Sequence, residues 1–492
     1  MAAETYAFNF FNEDLNSISK NNGIPNKTLW ISSSFPASQI SNRLKENPFK
    51  HPDLHSGFTD LLENAENLNG SLLVGNIIQL NQWLLNNKLA LNKIRNAFGN
   101  GEIDLLSGGP PCQSFSMAGL RDKESEKNSL PWEFACFAKM VKPKVILLEN
   151  VSGILRPFKV KDNFKYYAWF EIAKAFAKVG YVPLCLHVNA KFAGVPQNRP
   201  RFILLGLRKD LISKLEISFN ESEILLLKKS INFFKKMELN KNIIYEDLIC
   251  WDIKNSEHFK LFNNSFLNPL VAKVSPFISV FDAIDDLRRG SKSHSNYKIE
   301  ISRIFKNVVS QKILSNHELR ANNDTVKRRF RLYQLLNQVS NSSKINVLNF
   351  LASKVSTISN DVWLEFSSLK FYNNYGKNDI FKNKHEFILF LKAHKTKKRS
   401  QRALLADQPA PAALSIPDDA CHYHPKELRT LTVREMARIQ SFPDFFQFRS
   451  KVTTGGKLRK FEVPQYTQVG NAVPPLLGRA LGLAVVNLLD RL

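Results

Sequence analysis

Over residues 1–210, apolar residues come in short runs separated by amphipathic stretches. Val145-Ile146-Leu147-Leu148 and Arg201-Phe202-Ile203-Leu204-Leu205-Gly206 look like buried strands. Leu72-Leu73-Val74, closed by Gly75-Asn76-Ile77, reads as another. Residues 168–179 carry apolar positions at helical spacing, and Gly180 stops them. Thr5–Phe11 reads as a first strand, and Thr28-Leu29-Trp30-Ile31 as the start of a second. Alternation of strand and helix predicts an α/β fold, a doubly wound parallel sheet covered on both faces.

The pattern changes between about 211 and 400. Glycine becomes scarce, and Lys, Asn, Ser and Phe dominate. Basic clusters recur at Lys228-Lys229, Lys235-Lys236, Lys327-Arg328-Arg329 and from Lys395 to Arg402, with Phe330, Tyr333, Phe371 and Tyr372 interleaved. One such cluster is ordinarily a solvated helix face, but several together suit contact with phosphates. Gln408–Ala413 reads as an extended connection, 431–440 as a helix, and about Pro475 to Leu492 as a closing amphipathic helix.

Charge sharpens this picture. The 492 residues carry a formal net charge of +25, which favours a polyanionic partner, above all nucleic acid. The alternative is a Lys- and Asn-rich composition inherited from an AT-rich genome. The five cysteines (Cys112, Cys136, Cys185, Cys250, Cys421) are odd in number and lack zinc-finger spacing. They argue against a disulfide framework and a structural metal, and for a reducing compartment. With no leader-like start and no membrane-length apolar run read from the sequence, the expectation is a soluble, cytoplasmic protein.

The chemistry gathers around Gly108-Gly109-Pro110-Pro111-Cys112-Gln113-Ser114-Phe115-Ser116, which follows the apolar Ile103–Leu106 run. A cysteine presented at a strand end suits a nucleophilic thiolate, although a buried structural cysteine is as frequent for the Pro-Cys pair alone. Further segments accompany it: Leu148-Glu149-Asn150-Val151, Gln197-Asn198-Arg199-Pro200-Arg201, Arg429–Asp444, and Gln468-Val469-Gly470-Asn471-Ala472-Val473-Pro474-Pro475. In this order they resemble the DNA (cytosine-5) methyltransferases of bacterial restriction–modification systems. The resemblance is strong over about 72–207 and 401–492, and weak over 1–71.

That resemblance implies a Rossmann-like catalytic domain over 1–207, a mixed α+β target-recognition domain inserted over 208–461, and a C-terminal segment, 462–492, returning to the catalytic domain. It implies S-adenosylmethionine as cofactor, double-stranded DNA as partner, and a cognate restriction endonuclease as genetic partner. Cys112 would add to carbon 6 of a flipped-out cytosine, since carbon 5 alone is too weak a nucleophile. Glu149 would donate at ring nitrogen 3, Arg201 would face the carbonyl oxygen, and Arg199 would brace the site or steer Cys112 toward thiolate. Gln113, Ser114 and Arg121, in the loop that closes over the base, are candidate DNA contacts. Phe11, Asn76, Pro111, Asn471 and Val473 are the candidate cofactor contacts. The 429–444 segment would be structural, and Gly470–Val473 a return strand and turn beside the donor.

One part of the pattern is missing. The family holds its donor over a Phe-x-Gly-x-Gly-Gly turn, and no such turn precedes Cys112. Asn12-Glu13-Asp14-Leu15-Asn16 stands at the expected place, Ser32-Ser33-Ser34 replaces the acidic end of the next strand, and Asn76 replaces an aspartate. Glu13 and Asp14 would crowd a cofactor carboxylate, so glycines at 13, 15 and 16 would be expected to strengthen binding. Three readings follow: an active enzyme with an altered pocket, one needing a second methyltransferase polypeptide, or a DNA-binding homologue without catalysis. A tRNA cytosine methyltransferase shares the chemistry, but the long 211–400 insertion favours duplex readout.

Overall fold

Val145–Leu148 and Phe202–Leu205 are buried on both faces, as strands between two helix layers must be. In a computed structural model, the described residues are 2–47, 50–111, 129–159, 165–272, 276–305, 314–373, 375–396, 401–412, 420–454 and 462–492. Strand β1 is Thr28–Trp30, β2 Leu72–Val74, β3 Leu105–Gly108, β4 Val145–Val151, β5 Tyr181–Asn189, β6 Gln197–Asn198, β7 Pro200–Arg208, β8 Cys250–Asp252 and β9 Ala410–Pro411. The main sheet has the order β8-β5-β7-β4-β3, while β1 and β2 form a separate parallel pair.

The expected parallel sheet is in fact mixed. Strands β3 and β4 are parallel, as are β5 and β8, but β7 runs antiparallel to both β4 and β5. The link from β5 to β7 is short, one 3₁₀ turn at Ala190–Ala193 plus β6, whereas a parallel crossover needs a dozen residues or more.

Seven helices matter below: α1 Ala2–Phe11, α2 Leu15–Lys20, α3 Ile77–Asn86, α4 Leu130–Val141, α5 Ala168–Lys178, α6 Gln465–Asn471 and α7 Pro475–Leu489. Helix α5 sits where the spacing predicts it, with Trp169, Ile172, Ala173 and Phe176 against the sheet. Thr5–Phe11, by contrast, is not a strand but most of α1. Thr5 Oγ1 donates to Gln468 Oε1 (2.6 Å), and Asn9 exchanges hydrogen bonds with the backbone of Gln447 at 2.7 and 2.9 Å. These anchors, set four residues apart, lie on one helical face. The Gly470–Val473 return is likewise not a strand, because α6 runs through Asn471.

Of the four hydrophobic clusters among the described residues, two are large. The larger holds the main sheet and its helices, but it also includes Leu211 to Ile301 and the C-terminal helices. The smaller is built from Phe330 to Leu391, with Ala403 and Cys421. Helix Asp324–Leu335 opens the smaller core, while β8, beyond residue 207, is hydrogen-bonded into the main sheet. Over 211–400 the described elements are mostly helical; Phe371–Tyr372 with Asn378–Asp379 is a small antiparallel hairpin. The run Gln465–Leu489 is long and apolar enough to cross a membrane by composition, contrary to the sequence reading. Here it turns at Ala472–Pro474 and buries Leu477, Leu481, Ala484, Val485 and Leu488 in the larger core.

Candidate active site

Strand β3 ends in two glycines, each with a steric reason. A Cβ on Gly108 would lie 2.9 Å from the Phe134 ring of α4, and one on Gly109 would lie 3.3 Å from Glu149 Oε2. The β3 end and the Glu149 carboxylate are thus in close approach. The next residue but one along β4 from Leu148, Asn150, is buried and donates from Nδ2 to Pro110 O (3.2 Å), pinning the turn to β4. Pro111 is exposed at that turn. Cys112, Gln113, Ser114 and Arg121 lie outside the described residues.

Antiparallel register brings the charged pair together. Glu149 is opposite Ile203 and Val151 opposite Arg201, so Glu149 and Arg201 are diagonal neighbours on one face. Arg201 Nε stands 2.6 Å from Glu149 Oε1, and Arg201 Nη1 donates to Pro200 O (2.8 Å). Burial lowers the Arg201 pKa, and the adjacent Glu149 carboxylate opposes that shift. A pair this enclosed is costly to break, because the survivor keeps its desolvation without its partner.

Arg199 is almost fully buried and points the other way. Its Nη2 donates to Gly470 O (2.7 Å) and Ala472 O (3.0 Å), and its backbone N–H donates to Asn189 Oδ1 (3.0 Å). Burial, with Arg201 beside it, pulls this guanidinium down to about 9 against the attraction of Glu149. Arg199 therefore ties β7 to the turn between α6 and α7. That turn carries the exposed Asn471 and the half-buried Val473.

Strand β9 joins this region by pairing in parallel with β6, directly before Arg199. The 429–444 segment is a buried scaffold: Arg429 is bidentate to Glu435 (2.8 Å twice), and Arg434 donates to Pro443 O and Phe446 O. Gln440 Nε2 donates to Val469 O (2.6 Å), fixing α6 to it. The bond from Asn150 to Pro110 and the carbonyls of Gly470 and Ala472 were not legible from sequence as positioning groups. Only the adjacency of Asn150 to Glu149 hinted at the first.

The donor side fits only in part. Asn76 sits at the end of β2, but its Oδ1 accepts from Ile78 N (3.0 Å) as the cap of α3. Phe11 ends α1, its ring edge-on to Tyr6. Glu13 does not crowd a cofactor: its carboxylate accepts from Asn26 N (2.6 Å), Lys27 N (2.8 Å) and Thr28 Oγ1 (2.8 Å), securing the start of β1. Asp14 caps α2 and pairs with Arg449 (2.6 Å). Gly75 and Gly108-Gly109 stand beside Asn76 and Pro111, but no Phe-x-Gly-x-Gly-Gly sequence precedes Cys112.

The family model for C-5 cytosine-specific DNA methylases matches residues 84–487. The chain is 27% identical over 390 residues to the Type II methyltransferase M.DdeI of Desulfomicrobium norvegicum, covering 77% of this chain and 72% of that protein. It is also 27% identical over 420 residues to the Type II methyltransferase M.Bpa9945I of Bacillus paralicheniformis, covering 79% and 71%. Over 127 residues it is 39% identical to the orphan methyltransferase M.SPRI of Bacillus phage SPR, covering 25% of this chain and 28% of that protein.

Proposed function

The chain belongs to the C-5 cytosine-specific DNA methylases, a family that transfers methyl groups from S-adenosylmethionine, and from that membership we propose how its own residues divide the work. Cytosine presents ring nitrogen 3 and the carbon-2 carbonyl oxygen side by side. Glu149 and Arg201 stand side by side at the end of the sheet, next to the turn that leads into Cys112. That juxtaposition is the observation that carries the assignment.

In this scheme the Cys112 thiolate forms a carbon–sulfur bond at carbon 6, and the displaced electron pair moves toward nitrogen 3 and the carbonyl oxygen. Glu149 gives nitrogen 3 a proton, and Arg201 faces the oxygen that gains charge. The product is an enamine, nucleophilic at carbon 5. Arg199 holds the α6–α7 turn against β7 and is a positioning residue. Gln113, Ser114 and Arg121 contact DNA around the extruded base. The substrate is a short duplex sequence, protected by methylation from a cognate endonuclease; the similarity to Type II methyltransferases supports this.

The test exploits a reaction that needs no donor. Reversible thiolate addition lets carbon 5 pick up a solvent proton, so the enzyme should exchange the carbon-5 hydrogen of its target cytosine with water. Cys112→Ala is expected to abolish that exchange while leaving duplex affinity within about threefold. Wild-type exchange by the variant would overturn the nucleophile assignment.

A further inference from the structure

The smaller core carries a cavity of about 660 Å³, within the roughly 300–1,000 Å³ of small-ligand sites. Three elements wall it: helix Asp324–Leu335, the hairpin of Phe371–Tyr372 with Asn378–Asp379, and helix Lys384–Ala393. Spacing along the last helix explains part of the lining. Glu386, Phe390 and His394 stand four residues apart and so share one helical face. Phe390 meets Phe371 (ring centroids 5.4 Å) and Phe381 (5.2 Å), and Phe371 meets Phe381 (4.7 Å), forming a continuous aromatic wall. Phe371 is buried, but Tyr372, Phe381 and Phe390 are only half-buried. Rings with open surface beside a cavity are stacking platforms for a planar heterocycle.

The polar part of the lining is only half satisfied. His394, 2% exposed, has no hydrogen-bond partner at Nδ1, and its ring lies 4.5 Å from that of Phe390. Burial, with Arg329 and Arg328 nearby, holds its pKa down to about 4 and keeps the imidazole neutral. A buried nitrogen left in this state is costly, and buried polar atoms are rarely left so without a reason. Arg328 Nη2 donates to Thr325 Oγ1 (3.1 Å), but its Nε is buried and unpartnered. Glu386 Oε2 accepts from Lys382 N (3.0 Å), and Asp379 Oδ1 accepts from Ile380 N (2.8 Å). Among the described residues, the other oxygen of each carboxylate has no hydrogen bond.

We propose that this cavity binds an unpaired nucleotide whose base carries an exocyclic amino group. The base stacks against the wall of Phe381 and Phe390, and a polar atom of its ring edge gives His394 Nδ1 the partner it lacks. Its amino group donates to the unbonded carboxylate oxygens of Glu386 and Asp379. Its phosphate meets Arg328 and the exposed Lys382, which line the same cavity. Thymine offers a carbonyl oxygen where the other bases offer the amino group, so it would set acceptor against acceptor. The nucleotide is either a free mononucleotide or an extrahelical residue of bound DNA; the chemistry is the same for both. Reading the edges of paired bases needs no enclosed cavity, and the proposal does not depend on the roles given to Cys112, Glu149 and Arg201.

Equilibrium dialysis of the full chain against deoxyadenosine, deoxycytidine and thymidine 5′-monophosphates provides the test. The two amino-bearing nucleotides are expected to bind about tenfold more tightly than thymidine monophosphate, or better. Glu386→Gln keeps an acceptor for Lys382 N but turns a donor toward the base. It is expected to remove most of that preference while leaving carbon-5 hydrogen exchange within about twofold of the parent. Arg328→Gln is expected to weaken all three nucleotides about tenfold, as the phosphate loses a cation. Binding at the donor site or in the catalytic pocket would not respond to Glu386→Gln. Equal affinity for the three nucleotides, or a preference that Glu386→Gln leaves intact, would therefore overturn the proposal. A duplex with one unpaired adenine, used as competitor beside its fully paired counterpart, separates the two sources. Displacement by the bulged duplex alone identifies DNA as the source, and no displacement identifies the free nucleotide.

Discussion

At the scale of single residues, Glu149 and Arg201 are coupled: each compensates the other's burial, and in the proposed mechanism each would face an adjacent atom of the base. Removing either does more than delete a contact. Glu149→Gln keeps the shape and takes away the proton donor, and carbon-5 hydrogen exchange should fall by about 10²–10⁴-fold. Arg201→Ala should lower it about 10²–10³-fold, as for loss of one oxyanion donor, with duplex affinity within threefold. Equal exchange rates in either variant and the parent would remove that residue from the mechanism. Asn150 acts one step away, through Pro110. Asn150→Ala should destabilise the fold by about 1–3 kcal/mol, since the side chain both donates to Pro110 O and accepts from Val151 N. Its exchange rate should drop about tenfold as the Cys112 turn loosens.

At the scale of elements, the N-terminal region shows why spacing alone misplaced a strand. Tyr6, Phe8, Phe10 and Phe11 give Thr5–Phe11 a strand-like composition, since aromatic residues favour strands. Tertiary partners on Gln447, Arg449 and Gln468 select the helix instead. The same anchoring reverses the expectation for Glu13. Glu13→Gly would strip three hydrogen bonds from the start of β1, and should cost about 2–4 kcal/mol in a urea titration with no gain in donor affinity.

The strand Ala420–Cys421 and the helix Val433–Ile439 enclose a second titrating group. His422 is fully buried, and burial holds its pKa down to about 4 although Glu435 pulls it up. Its pKa is lower in the folded than in the unfolded chain, so only the unfolded state binds a proton as pH falls from about 6.5 toward 4. Stability should therefore decline across that window, by up to roughly 3 kcal/mol for a shift of this size. His394 in the smaller core, also pushed down to about 4 by burial and by Arg329 and Arg328, adds to the decline. His422→Asn, which retains an acceptor for His424 N, should flatten part of the difference between urea midpoints at pH 7 and pH 5. An unchanged difference would show that His422 is protonated in the fold.

At the scale of the molecule, the basic clusters are distributed over both cores. Lys228-Lys229 and Lys235-Lys236 lie on helix Glu221–Glu238, which packs on the main sheet, while Lys327-Arg328-Arg329 lies on the first helix of the smaller core. A duplex held by both parts would touch at least about six phosphates, giving a slope near −5 for log K against log salt. A slope shallower than about −2 would mean that the charge of +25 reflects composition and not the DNA path.

Much of the candidate site was legible in the residue order. Gly108-Gly109-Pro110-Pro111, Leu148-Glu149-Asn150-Val151 and Gln197–Arg201 each combine a strand with a polar end, and local chemistry carries that message. Strand β4, strand β7, helix α5 and the closing helix follow from periodicity, because burial of one face is a local demand. What only the tertiary structure decided depends on partners distant in sequence. The antiparallel register set Glu149 beside Arg201; the carbonyls of Gly470 and Ala472 turned Arg199 away from the pair; Gln447 and Gln468 made Thr5–Phe11 a helix. The partition of the described residues between the larger and the smaller core is likewise invisible in any window of the chain. Core packing and strand pairing are contacts between separated segments, and they are seen only when both partners are in place.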